Sequence, residues 1–199
     1  MYCILVTGIP AAGKSTMARY LAEQLSMPMI SKDRIKELLF DTVGFQSREE
    51  KVKLGIASMN IMYDMAEQLM KCNLPFILEN NFENVSKAGL DNLLKKYSYK
   101  AITITLTGKY ERIYQRYVER NESADRHRGH VVNDSYPEKV LGRKIAPISF
   151  ESFLSGIRNR GMDSFVSNGP HIVVDTTEFD NVDFDGVIKQ VENYQGKLI

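Results

Sequence analysis

Short apolar runs alternate with amphipathic stretches along most of the chain. Tyr2–Thr7 is an apolar run that leads into a glycine, and it reads as a buried parallel strand. Lys14–Leu25 changes to helical spacing, with Met17, Leu21 and Leu25 on one face. Met29–Ile30 predicts a short second strand, and Lys32–Phe40 a helix with Ile35, Leu38 and Leu39 apolar. Ser47 followed by Glu50 forms a capping box that opens a long helix, Arg48–Lys71. Its predicted apolar face is Ile56, Ile61, Met65 and Leu69, and Met59, Met62 and Met70 read as core filler. Phe76–Leu78 is the next strand, Ser86 is placed to cap a helix running to about Tyr97, and Ala101–Leu106 is a β-branched strand. A helix over Tyr110–Asn121, a strand at His171–Val174 and a helix from about Asp183 to Tyr194 complete the series.

Strands that alternate with helices predict an α/β fold, a parallel sheet with helices on both faces. Glu122–Phe150 breaks the pattern. It is polar and rich in Arg and His, then carries short apolar pieces up to Pro147. It reads as an insertion or mobile lid, at about 122–150, on a single domain spanning 1–199.

Composition narrows the class. A chain of 199 residues suits one domain. Lys and Arg number 26 and Asp and Glu 25, a net charge of +1, so the chain is not built overall to wrap nucleic acid or anionic lipid. Cys3 and Cys72 lack CxxC spacing, and with three histidines a zinc site is not expected. Isolated thiols fit a reducing, cytoplasmic setting. The first residues lack the pattern of a signal peptide, and no run approaches the ~18 apolar residues of a membrane span.

Gly8-Ile-Pro-Ala-Ala-Gly13-Lys14-Ser15 matches G-x-x-x-x-G-K-[ST], between a predicted strand and a predicted helix. The chemistry explains the spacing. Gly8 and Gly13 let the backbone, with Ala11 and Ala12, wrap closely so that its N–H groups face phosphate oxygens. Lys14 supplies charge to the β- and γ-phosphates, Ser15 a hydroxyl for Mg²⁺, and Thr16 a contact to the α-phosphate. The helix that follows aims its positive end at the anion.

Three further groups bear on what happens to the phosphates. Asp33 lies just past the second strand, where ligands gather in an open α/β sheet. It reads either as a base facing the γ-phosphate or as a carboxylate at a helix start. Glu79 ends the third strand and is placed to hold Mg²⁺ directly or through water. Asn80 and Asn81 follow it as candidate contacts to an acceptor. Arg112, Arg116 and Arg120 share one helix face, and Arg126 and Arg128 follow in the lid segment, where arginines can neutralise a transferring phosphoryl group. Interleaved acids make a solvated face the plainer reading for Arg112. Tyr110, Tyr114 and Tyr117 read as packing residues. The acidic run Asp175–Asp185 reads as a solvated loop and helix start, placed where it could also border an adenine.

The order of these motifs, GKST, then SKD, then an acid with Asn, then an Arg-rich helix running into Arg126-His-Arg-Gly-His130, resembles a group of P-loop kinases. That group includes bacterial AAA-type small-molecule kinases, zeta toxins, chloramphenicol phosphotransferases and the kinase domain of polynucleotide kinase. The resemblance covers about Tyr2 to Val174. It implies a three-layer P-loop NTPase fold, a five-stranded parallel sheet ordered 2-3-1-4-5, and a helical lid. It also implies Mg²⁺-dependent transfer of the ATP γ-phosphate to a hydroxyl. Asp33 matches the group's general base. Lys36 stands where polynucleotide kinases carry an arginine, Glu79 where many relatives have Asp, and Arg128 where a proline is more usual.

The combined expectation is a cytoplasmic ATP-dependent kinase acting on a small-molecule hydroxyl. Gly13–Thr16 and Arg116 would hold ATP, and Ser15 and Glu79 would hold Mg²⁺. Asp33 would activate the acceptor, Lys14, Arg120 and Arg126 would stabilise the phosphoryl group, and Lys36, Asn80 and Asn81 would contact the acceptor. A polynucleotide 5′-hydroxyl kinase, a toxin acting on a nucleotide sugar and a regulatory ATPase with no acceptor are the alternatives.

Overall fold

Five parallel strands form one sheet in the order β2-β3-β1-β4-β5 in a computed structural model that describes residues 1–140 and 143–198. The strands are β1 Tyr2–Gly8, β2 Met29–Ser31, β3 Ile77–Glu79, β4 Lys100–Thr107 and β5 His171–Asp175. The helices are α1 Lys14–Leu25, α2 Lys32–Thr42, α3 Arg48–Lys71, α4 Asn84–Lys96, α5 Tyr110–Glu122, α6 Arg128–Val131, α7 Phe150–Arg160 and α8 Phe184–Leu198. None among the described residues is long and apolar enough to cross a membrane.

The continuous apolar run of β1 has a direct cause. β1 is the central strand, Ile4 pairs with Ile77 on one side and Ile102 on the other, and both sheet faces are covered. Side chains alternate across the sheet. Ile4 and Val6 enter a core with Met17 and Leu21 of α1, Ile113 of α5, Phe153 and Ile157 of α7 and Val187 of α8. Cys3 and Leu5 enter the opposite core with Met62 and Ala66 of α3 and Leu90 and Leu94 of α4. β5 is an edge strand, where Ile172 and Val174 are buried and Val173 is exposed.

Several local readings change. The long helix begins at its predicted cap, where the Glu50 N–H donates to Ser47 Oγ at 3.2 Å. Its buried face, however, is Ser58, Met62, Ala66 and Met70, whereas Ile56, Ile61 and Met65 are exposed. The two stripes lie side by side on one helix, and packing against β2 and α4 selected the one in which Ser58 and Ala66 allow close approach. On α2, Phe40 is buried and Leu38 exposed. α4 is capped by Glu83, and Ser86 sits three residues in, its Oγ accepting from the Glu83 N–H at 3.3 Å.

α7 is absent from the sequence expectation. Its signals are Ser149, whose Oγ accepts from the Ser152 N–H at 3.2 Å, the buried pair Phe153 and Ile157, and Gly161 in the left-handed region at φ 65°. In the expected lid, residues 141 and 142 lie outside the described residues. The rest carries one helical turn, α6, and folds back on α2 and α3 through a third apolar cluster of Phe40, Phe45 and Val132. Tyr136 bridges to Phe45, and its hydroxyl donates to Asp41 at 2.8 Å. Gly129 lets the segment approach, since a Cβ there would lie 2.4 Å from the Phe40 ring.

Candidate active site

All five strands run the same way, so their carboxyl ends share one edge of the sheet. The chain leaving each strand contributes to a single cleft of about 1040 Å³. Pro10, Ala11, Gly13, Lys14, Ser15, Thr16 and Arg19 follow β1, with Ala12 turned into the core, Lys32, Asp33 and Lys36 follow β2, Glu79, Asn81 and Glu83 come from the end of β3, Arg112 and Gln115–Glu122 from α5 after β4, and Thr177–Asp180 follow β5.

The loop between β1 and α1 has the shape its glycines predict. Gly8 has φ 128°, and a Cβ there would meet the Leu106 carbonyl oxygen at 2.1 Å. Gly13 has φ 92°, and a Cβ there would meet the Phe179 ring at 2.1 Å. Ala11 also adopts the left-handed region, at φ 63°. Thr16 and Met17 donate their N–H groups to the Gly13 carbonyl, each at 3.1 Å, and the start of α1 at Lys14, Ser15 and Thr16 lines the cleft, the place where a helix N-terminus favours an anion. Lys14 is 8 % exposed, and its Nζ donates to the Ile9 carbonyl at 2.8 Å. Burial pulls its ammonium down to about 8, against the opposing charges of Glu79 and Asp33.

Glu79 is buried at the end of β3, in register with Ser31 of β2. Its carboxylate accepts from Ser31 Oγ at 2.5 Å and from Ser15 Oγ at 3.3 Å. Burial raises its pKa, and Lys14 works against that rise. A hydroxyl and a carboxylate side by side at the base of a phosphate cradle are hard oxygen donors. They fit a Mg²⁺ ion that takes its other ligands from phosphate and water. Asn81 lines the cleft. Asn80 does not, because its Oδ1 accepts from the Asn81 N–H at 2.8 Å and its N–H donates to Val6 of β1.

Asp33 stands in the first turn of α2, whose cap is Ser31 and not Asp33. Asp33 is thus a carboxylate at a helix start without being the cap, which is Ser31. Burial pushes the Asp33 carboxyl up, but His130, Lys32, Lys36 and Arg126 together hold it below the usual carboxylate range. His130 from α6 is bonded through Nε2 to Glu37 Oε1 at 3.0 Å. Arg126 lines the same wall, and its buried Nε has no partner among the described residues. Arg120 and Arg116 line the cleft from α5, and Arg116 donates to the Thr176 carbonyl at 2.7 Å, 5.8 Å from the Phe179 ring. Arg128 serves the lid instead. It forms a two-pronged pair with Glu138, at 2.6 and 2.7 Å, and does not line the cleft. Tyr114 and Tyr117 pack on Phe153, as their spacing predicted.

Sequence reasoning missed Lys32, Arg48, Lys51 and Arg160 as cleft residues, and it reached His130 only as the end of the Arg126–His130 motif and Phe179 only within the acidic run placed to border an adenine. Lys51 carried the least signal, since it falls within an ordinary charged helix turn. It is 4 % exposed, and its Nζ donates to the carbonyls of His130 and Val132 and to Asn133 Oδ1. All three acceptors are neutral. Burial and the charges of Lys36 and Arg48 lower its ammonium to about 7, from an ordinary value of 10.5.

This has a measurable consequence. Lys14, Lys36 and Lys51 all have folded-state pKa values depressed to about 7–8. Above those values the unfolded chain binds more protons than the folded one, so stability rises with pH until the unfolded lysines titrate. The melting temperature of the nucleotide-free protein should climb between pH 7 and 9, and Lys51→Met should flatten the climb. An equal slope in both proteins would contradict the burial argument.

A profile of the AAA domain family matches residues 3–135, two thirds of the chain. No curated protein matches it in sequence. Among solved structures, a candidate kinase from Chloroflexus aurantiacus j-10-fl is 27% identical, with a TM-score of 0.79 and 97% of each chain covered. A sugar kinase from Janibacter sp. HTCC2649 is 12% identical, with a TM-score of 0.57 over 98% of this chain and 95% of that one. A gluconokinase from Sinorhizobium meliloti 1021 is 13% identical, with a TM-score of 0.54 over 99% and 93%. The last two likenesses are of fold alone. The profile match spans the phosphate cradle, Asp33, Glu79 and α6, and by it the chain belongs to the AAA domain family, with the fold of the P-loop kinases.

Proposed function

We propose that the protein is an ATP-dependent kinase that transfers the γ-phosphate to a hydroxyl of a small molecule. The observation that carries this reading is one cleft that joins the phosphate cradle at Lys14 to a carboxylate, Asp33, with Arg120 and Arg126 on the wall beside them. A regulatory ATPase has no need of a carboxylate facing an acceptor space. The chain is read as one kinase domain, with residues of the 122–150 segment forming its lid.

In this reading the backbone of Gly8–Thr16 binds the triphosphate, and the adenine lies toward Arg116 and Phe179. Ser15 and Glu79 hold Mg²⁺, which when bound spreads the charge of the β- and γ-phosphates. Lys14 leaves the Ile9 carbonyl for a phosphate oxygen and regains full charge beside that anion. Asp33, held ionised by its cationic neighbours, orients the acceptor hydroxyl. The same cations make it a weak base, so it takes the proton once bonding to phosphorus has acidified the hydroxyl. Asn81 and Lys36 contact the acceptor.

The test is incubation with labelled ATP, Mg²⁺ and a panel of nucleosides, sugars, antibiotics and 5′-hydroxyl oligonucleotides. Labelled small-molecule product is expected from the wild type. Lys14→Ala should weaken ATP binding and reduce transfer about 10²–10³-fold. Steady hydrolysis indifferent to every acceptor would favour the regulatory ATPase, and undiminished ATP binding in Lys14→Ala would remove the basis of the kinase reading.

A further inference from the structure

Part of the positive charge that lines the cleft lies around the starts of α2 and α3, apart from the phosphate cradle. Two groups of charge can be separated by their neighbours. Lys14 interacts with Glu79, Asp33, Arg120 and Arg126, the set around the phosphate cradle. Lys36 interacts with Lys32, Asp33, Arg48 and Glu83, the set around the starts of α2 and α3. Asp33 acts on both sets, and Arg126 acts on Lys51 as well as on Lys14.

The second set is unbalanced. Lys32, Lys36, Arg48 and Lys51 all line the cleft. None of them has a carboxylate within ion-pair distance among the described residues. Arg48 is bonded to Asn133 Oδ1 at 2.9 Å, Lys51 to the same oxygen at 3.0 Å, and Lys36 lies 5.4 Å from the Phe40 ring. Glu83, the other carboxylate that acts on Lys36 besides Asp33, is already paired with Arg160 at 3.1 Å. Lys36 reaches across to α3, where its Nζ lies 3.6 Å from the Cβ position of Gly55. Unpaired cations grouped on a half-enclosed wall repel one another and lose hydration, a cost to the folded state that a bound anion removes.

We infer that the acceptor carries its own anionic group, a phosphate or a carboxylate, which docks between Lys36 and Arg48 while its hydroxyl faces Asp33. The inference rests on the kinase reading and narrows it. Lys36 sits one turn along α2 from Asp33 and Arg48 opens α3, so the anion lies against the starts of these helices and not on the cradle at the start of α1. The two anions therefore share the cleft without competing, and Lys51, behind them, holds the carbonyls of His130 and Val132 that shape the wall. The acceptor is small. A polynucleotide, also anionic, would need the positive surface to continue as a groove, and the chain's net charge is only +1.

The experiment titrates inorganic phosphate into the full chain saturated with Mg²⁺ and a non-hydrolysable ATP analogue, so that the cradle is filled. Calorimetry should detect a further phosphate site. In the double variant Lys36→Met, Arg48→Met its affinity should fall about 10-fold or more, with analogue affinity unchanged. The variant should also melt at or above the wild-type temperature without anion, because repulsion has been removed. That readout separates loss of the site from loss of the fold. Absence of a phosphate site in the analogue-bound protein, or equal affinity in the variant, overturns the anionic acceptor and leaves the kinase standing. Failure of the analogue itself to bind overturns the kinase reading, and this inference with it. Where acceptors are compared in pairs, glucose against gluconate or a nucleoside against its monophosphate, the charged member should show the lower KM. Preference for the neutral member, or for a long oligonucleotide over a mononucleotide, overturns the proposal.

Discussion

Arg126→Met is expected to lower phosphoryl transfer by about 10³-fold or more while changing ATP affinity far less. The expectation follows from what Arg126 lacks. Its Nε is buried and unpartnered, and no carboxylate lies within ion-pair distance of its guanidinium among the described residues. Burial and the charge of Arg120 push its pKa down, with Asp33 and Glu37 opposing. Such a group gains most when negative charge spreads over the transferring phosphoryl oxygens, and little before that. Single-turnover rates and an equilibrium ATP titration separate the two states. A variant with normal turnover and weakened ATP binding would assign Arg126 to ground-state binding instead. Arg126→Lys should restore only part of the rate, because an ammonium cannot reproduce the planar fork of donors.

Asp33→Asn is expected to cost about 10²–10⁴ in turnover, the range for loss of a positioned base. ATP should bind at least as well, since a negative charge near Lys14 has gone. The pH profile gives a second check. His130, Lys32, Lys36 and Arg126 hold the Asp33 carboxyl below its ordinary value of 3.8, whereas burial raises Glu79, so an acid limb above pH 4 should belong to Glu79 and persist in Asp33→Asn. If Asp33→Ala labels an acceptor as fast as the wild type, Asp33 is not the base.

Much of the fold was legible because it rests on local patterns. β1 reads as central because Cys3 to Val6 must be apolar on both faces, and the cradle reads as a cradle because only glycine tolerates the backbone at Gly8 and Gly13. What failed depended on packing partners distant in sequence. Ile56 and Met65 make as good a helical stripe as Met62 and Ala66, and only the approach of α4 and β2 decides between them. α7 went unread because its single buried pair, Phe153 and Ile157, has meaning only against α5.

The candidate site divides in the same way. Ser15, Glu79 and Asn81 follow strand ends and could be found by position. Lys51 could not, because its role depends on the lid carbonyls above it, 79 and 81 residues away. Phe179 sat inside an acidic run and showed itself only through the space that Gly13 leaves for its ring.

The small cluster of Phe40, Phe45 and Val132 has a consequence for how the molecule opens and how it could change. The nucleotide half of the cleft grows from the centre of a sheet with two large cores behind it, whereas the α6 segment that borders the acceptor space rests on a cluster of three buried side chains. Local opening free energy follows buried apolar contact, so amides of α6 and its flanks should exchange hydrogen well before those of β1. A part that loosens without unfolding the sheet can also be rebuilt without disturbing it. The phosphate donor is thus recognised by the rigid half of the protein, and the choice of what receives the phosphate sits where replacement disturbs the rest of the fold least.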